Sequence, residues 1–153
     1  MTNADAAAIA ELESRLGCTL PPSYRGFLAN AEDVLLNDEY RLLPAHEVGW
    51  LRDLAPGIVD DWELTMEGIV DPVGVRDNYE VFPSTWFARY LRGTLLISED
   101  QGEGVYLLNP GVIDENGEWE AWFVAHWVPG ADRARSFGEM LARSLLDPQE
   151  PAA

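Results

Sequence analysis

Between Glu118 and Val128 the chain alternates in a way that only an extended strand can use. The odd positions Trp119, Ala121, Phe123, Ala125 and Trp127 are apolar, whereas the even positions Glu118, Glu120, Trp122, Val124 and His126 are mixed. Side chains on a strand point alternately to opposite faces, so the pattern predicts one core face and one partly covered face. Asn116-Gly117, just ahead of this run, is a strong signal for a tight hairpin, because the central residues of such a turn need positive φ. It places Val112-Ile113 opposite Glu118 onward. A long antiparallel strand needs neighbours, and Leu95 to Ser98 and Val105 to Leu108 supply them, joined across Glu99 to Gly104, where the glycines permit reversal. Glu39 to Leu43 reads as a further strand.

Helices flank this region on both sides in sequence. Ile9, Leu12 and Leu16 recur at helical spacing after Asp5, and Gly17 stands where a left-handed C-terminal residue belongs, predicting a first helix over Asp5 to Leu16. Pro21 and Pro22 suit an extended approach and a first helical turn, where a missing amide costs nothing. Tyr24, Phe27 and Leu28 then share one face of a second helix and read as core. After Pro44 a short helix is expected through Trp50 and Leu51, with His46 near its start. Pro56 to Pro83 keeps no sustained period and predicts a short helix with long loops. Ser84 caps a helix over Thr85 to Arg92 that Gly93 ends. Ser136 caps the last helix with Glu139 in capping-box position and Phe137, Leu141 and Leu145 along its buried side. Strands gathered in one region with helices before and after them define an α+β class. The expected architecture is an antiparallel or mixed sheet of about five to six strands between N-terminal and C-terminal helices, in a single domain spanning 1–153 with a core over 5–146 and a flexible tail over 147–153.

A chain of 153 residues buries about 70% of its unfolded surface, enough for a core without staples. The single cysteine, Cys18, excludes an intrachain disulfide and suits a reducing compartment, where it reads as a small core filler. No secretory leader and no membrane-length apolar run is visible, so a cytoplasmic protein is expected. The 27 acidic residues outnumber 10 basic ones, for a formal net charge of -17. That balance disfavours nucleic acid, which is bound by replacing counterions with cationic side chains, and favours a basic partner. Every basic residue is arginine, so lysine Schiff-base chemistry and a P-loop are excluded together.

Catalytic constellations are thin. His46 and His126 lie far apart, and no nucleophile elbow, zinc-binding H-E-x-x-H or dinucleotide fingerprint occurs. Glu99, Asp100 and Glu103 crowd a glycine turn, where carboxylates stay solvated rather than being held protonated in an apolar pocket as a glycosidase acid must be. Asp114 to Gly117 lacks the regular ligand series of a calcium loop and reads as a hairpin turn. No enzyme activity, cofactor or metal is expected.

Several of these segments together resemble the SUKH superfamily. Glu11 to Gly17 ends in E-x-x-L-G, Leu20-Pro21, Tyr24, Phe27 and Leu28 follow as L-P-x-x-Y-x-x-F-L, Gly102 to Leu108 forms an acidic glycine turn entering an apolar strand, and Ser136-Phe137-Gly138-Glu139 opens the last helix. The resemblance spans roughly residues 5–146. Where the family often carries an Asn-Gly-Gly turn, this chain has Asn30-Ala31-Glu32-Asp33, so that loop differs. The resemblance implies an α+β fold and a binding function: an immunity protein that neutralises a toxin, or, as in the fungal branch, an intracellular scaffold or regulatory domain.

One charge feature suggests where a partner docks. From Gly93 to Asp132 there is no arginine, while Glu99, Asp100, Glu103, Asp114, Glu115, Glu118, Glu120 and Asp132 all fall there. Such a segment serves either as a solvated sheet edge or as a docking surface for a basic toxin, a nuclease being favoured. The candidate partner-binding residues are therefore Glu99, Asp100, Glu103, Asp114, Glu115, Glu118 and Glu120, with Tyr106 and Trp122 as aromatic anchors. A monomer or weak dimer is expected.

Overall fold

The structure is a computed structural model that describes residues 3–30, 35–36, 40–65, 90–99, 104–125 and 131–146. Helix α1 (Asn3–Leu16) buries Ile9 and Leu12 and ends at Gly17, whose φ of 77° is the left-handed value that a helix C-terminus favours. The Cys18 amide reaches back to the Glu13 carbonyl at 3.3 Å, closing the helix end. The Glu13 carboxylate then accepts the Leu20 amide at 2.9 Å and the Arg25 Nε at 3.0 Å. One side chain thus fixes the angle at which the chain leaves α1 and enters α2 (Pro22–Asn30).

The chain next forms a small hairpin, β1 (Leu35–Leu36) with β2 (Tyr40–Arg41), and a 3-10 turn at Ala45–Glu47. The single helix expected after Pro44 is split. Gly49–Trp50 is strand β3, and Leu51–Leu54 is a one-turn helix, α3. Trp50 is extended at φ -71° and ψ 140° because it pairs with Leu95 rather than continuing the 3-10 turn. Helix α4 (Pro56–Thr65) follows. The remaining middle segment, with the helix expected from Thr85, lies outside the described residues up to 89, and the chain is described again from Tyr90 through a 3-10 turn at Leu91–Gly93.

Among the described residues five strands form one antiparallel sheet in the order β3-β4-β5-β6-β7, with β4 at Leu95–Leu96, β5 at Gly104–Ile113, β6 at Trp119–Ala125 and β7 at Ala131–Ala134. Every neighbouring pair is antiparallel, so the fold is α+β with no parallel element among these strands. Ser98 extends the reach of β4 by bridging Leu42, and the Leu43 amide donates to the Ile97 carbonyl at 2.8 Å.

The hairpin between β5 and β6 turns where the sequence places it. Gly117 has φ 82°, Ile113 pairs with Trp119, and the Asp114 carboxylate accepts the Asn116 and Glu118 amides at 2.8 and 3.0 Å. The register shifts between Asn109 and Ile113. Pro110 falls in that irregular stretch, where a residue without an amide breaks no ladder bond.

Both faces of the sheet centre are buried, in contrast to the single fully covered face expected. Six consecutive residues of β5, Gly104 to Asn109, and every residue of β6 except Phe123 are buried. Trp122 on the even face is fully buried, while Phe123 on the odd face is only partly so. The even row is therefore core despite carrying Glu120. Helix α5 (Phe137–Leu146) closes the chain. Half of the expected capping box forms: the Glu139 amide donates to Ser136 Oγ at 3.0 Å, while the Glu139 carboxylate accepts the backbone amide of Arg135, one residue before Ser136, at 2.8 Å. Phe137 packs edge-on against Tyr24 at 5.1 Å and beside Phe27 at 5.3 Å, joining the last helix to the second.

Candidate docking surface

The acidic segment from Gly93 to Asp132 contains no arginine in sequence, but folding brings arginines to it. Glu99 is half-buried beside Arg41, with Oε2 at 3.8 Å from Arg41 Nε, and its own amide donates to the Arg41 carbonyl at 2.9 Å. Asp132 lies 3.5 Å from Arg143 of α5. Glu120 is 2% exposed and lies 3.5 Å from the guanidinium of Arg133. Charge counted along the chain misses these pairs, because strand neighbours and the following helix supply the cations.

Glu118 joins the sheet to two helices. It accepts the Ser23 amide at 3.1 Å and the Ser23 hydroxyl at 2.8 Å, and Ser23 Oγ in turn accepts the Gly138 amide at 3.0 Å. The first turns of α2 and α5 both expose amides with no intrahelical partner. A negative group there is also favoured by the helix dipole. Glu118 and Ser23 thus cap two helices from the base of the β5–β6 hairpin. The pair joins residues 95 positions apart, so no local motif announces it.

Three of the expected partner-binding residues are buried in the structure. Tyr106 is 2% exposed on the odd face, opposite Phe123 in the register with ring centres 4.7 Å apart, while on the even face Trp122 is fully buried and Glu120 lies buried beside Trp122 and Arg133. For Trp122 and Glu120 the reason is the covered even face: residues that alternate toward solvent on a one-sided sheet point here into a second packed layer. Asp100 and Glu103 lie outside the described residues. Asp114 and Glu115 remain as exposed acids at the hairpin tip. Ile113 stands beside them, and it and Leu54 are the exposed large hydrophobics among the described residues. Alternation gave no warning of Ile113, since it follows the irregular stretch at Asn109 to Val112.

No group of three or more metal-binding side chains converges among the described residues, and no helix there is long and apolar enough to cross a membrane. His46 is 74% exposed near Glu47, and His126 lies outside the described residues. Cys18 is partly covered, and both burial and the neighbouring Glu13 charge raise its thiol pKa. At neutral pH the thiolate fraction is accordingly small. Alkylation of the native protein by iodoacetamide at pH 7 is expected to run several-fold slower than that of a free cysteine thiol, and to accelerate as pH rises past 9. A rate at or above that of the free thiol would show that the side chain is not shielded in this way.

Helices enclosing an antiparallel sheet, with an acidic hairpin tip, define a small α+β domain. Residues 3–143 match the family model of the SMI1 / KNR4 family (SUKH-1), and the chain belongs to that family. No curated protein and no solved structure gives a significant match. The family is known for immunity proteins and related regulators, so a binding role fits the chain. The residues that carried the sequence resemblance have structural roles: Glu13 and Gly17 close α1, Tyr24 and Phe27 meet Phe137, and Val105 to Leu108 is the centre of the sheet.

Proposed function

We propose that this chain is a cytoplasmic, non-enzymatic immunity protein that neutralises a cognate toxin, secreted or delivered by contact, by covering it with an acidic surface. A nuclease is the favoured target. The observation that carries this reading is membership of a family of immunity proteins and related regulators. The net charge of -17 supports it. A nuclease presents cations where phosphate must sit, and carboxylates on a partner match that charge, accelerate encounter and block the cleft. The docking surface is narrowed to the exposed hairpin tip, Asp114 and Glu115, with Glu99, Asp100 and Glu103 as neighbours in sequence on the other side of β5.

The experiment is association with the toxin encoded beside this chain, measured across salt concentrations. Asp114→Asn with Glu115→Gln removes two charges while leaving an oxygen at position 114 to accept the turn amides. Association is expected to slow about tenfold at low salt, and its salt dependence to flatten, because opposite charges steer encounter only within a Debye length of ~8–10 Å. Glu118 and Glu120 stay unchanged, since both hold the fold. Parental rates in the double variant would place docking elsewhere. Failure of the unaltered protein to bind that toxin, with retained binding to an intracellular partner, would favour the regulatory branch of the family.

A further inference from the structure

Strand β7 reads Ala131-Asp132-Arg133-Ala134. Among the described residues it is an edge strand, paired on one side with β6 and last in the sheet order. Strand register is normally set by which residues are apolar, since a one-residue slip moves every side chain to the opposite face. β7 has almost no such information. Two of its four residues are alanines, and Asp132 is held at the rim by Arg143. The one large side chain that β7 sends into the protein is Arg133, 1% exposed.

Arg133 stands opposite Trp122 in the register, yet its charge partner is Glu120, the diagonal neighbour two residues back along β6. Glu120 is itself fixed, because the Trp122 indole N–H donates to its Oε1 at 2.8 Å. Trp122 is held in turn by the edge of Tyr90, ring centres 6.4 Å apart. Carboxylate, indole and guanidinium therefore meet in one arrangement that a shifted β7 cannot reproduce. A shift by one residue would send Arg133 to the face of Ala121 and Phe123, away from Glu120. A shift by two would move the guanidinium along β6 past the carboxylate.

We propose that the buried Glu120–Arg133 pair is a register lock: it selects one alignment of the edge strand β7, and with it the placement of helix α5, while adding little to net stability. Buried ion pairs often contribute little net stability against apolar replacements, and fixing register is their best-attested use. The lock matters beyond β7 because α5 begins at Phe137, three residues after the strand ends at Ala134, and Phe137 must reach Tyr24 and Phe27.

The test is the double variant Glu120→Gln/Arg133→Met, which removes both charges, keeps an oxygen for the Trp122 indole and keeps an unbranched side chain, two atoms shorter, at 133. Its melting temperature is expected to stay within ~4 °C of the parent, the shift expected of a small change in a chain this size. Amide exchange at 131–134 should speed at least about tenfold, because a strand sampling several alignments opens more often. The cross-strand contact between the α-protons of Ala121 and Ala134, measured by NMR, should weaken or double. A folded double variant with parental exchange and one parental Ala121–Ala134 contact would overturn the proposal. So would a double variant that no longer folds, since the pair would then carry stability rather than alignment.

Discussion

Phe137→Ala is expected to cost about 3–5 kcal/mol of folding stability, the usual loss for truncating a fully buried phenylalanine. Phe137 is fully buried and forms the contact between α5 and the α2 residues Tyr24 and Phe27. Truncation would open a cavity under a rigid ring cluster. The Tyr24 hydroxyl is buried with no hydrogen-bond partner among the described residues, and burial pushes its pKa far up, so Tyr24 offers no polar bond of its own in place of the lost ring contact. A domain of this size has roughly 5–15 kcal/mol in total, so chemical denaturation should show a greatly lowered midpoint. A midpoint within error of the parent would mean that α5 is not fastened through this ring.

Arg133→Met alone is expected to be comparably damaging, about 3–5 kcal/mol, although the residue lies on a four-residue edge strand. Removing the guanidinium takes away a cation that lies 3.5 Å from the Glu120 carboxylate, which is 2% exposed. Most of the loss is the cost of keeping that carboxylate buried without this cation, so adding Glu120→Gln should restore much of the stability. Equilibrium unfolding of the parent, both single variants and the double variant gives the coupling directly. Additive losses would mean the two side chains do not depend on one another.

How far these elements could be foreseen follows from the kind of signal each one carries. Strand β6, the turn at Gly117, the end of α1 at Gly17 and the cap at Ser136 each rest on a local rule, either period-two alternation, positive φ or an orphan amide, and all were legible. Strand β7 was not, because Ala131-Asp132-Arg133-Ala134 has no apolar pattern, and its buried Arg133 meets Glu120 only once the strand is paired with β6. Strand β3 was hidden for a related reason: Gly49 and Trp50 carry too little sequence to overrule the helical spacing around them. The docking residues suffered from long-range neighbours. Acids that read as one exposed stretch divide into core, cap and surface once Arg41, Arg133, Arg143 and Ser23 arrive from elsewhere. At the hairpin tip, whose side chains depend on their own turn, Asp114 and Glu115 are exposed.

The Ser23 junction sets a timetable for the living cell. Ser23 caps with Glu118 and receives the amide of Gly138, 115 residues downstream. At translation speeds of ~5–20 residues per second, α2 waits roughly 6–23 s for the helix it packs against. During that wait the apolar side of α2 has no Phe137 to cover it. Contacts this distant in sequence also slow the closing step after release from the ribosome. A new copy of the chain therefore cannot close this junction until α5 has been synthesised, so the supply of folded molecules lags the start of each chain by at least that interval.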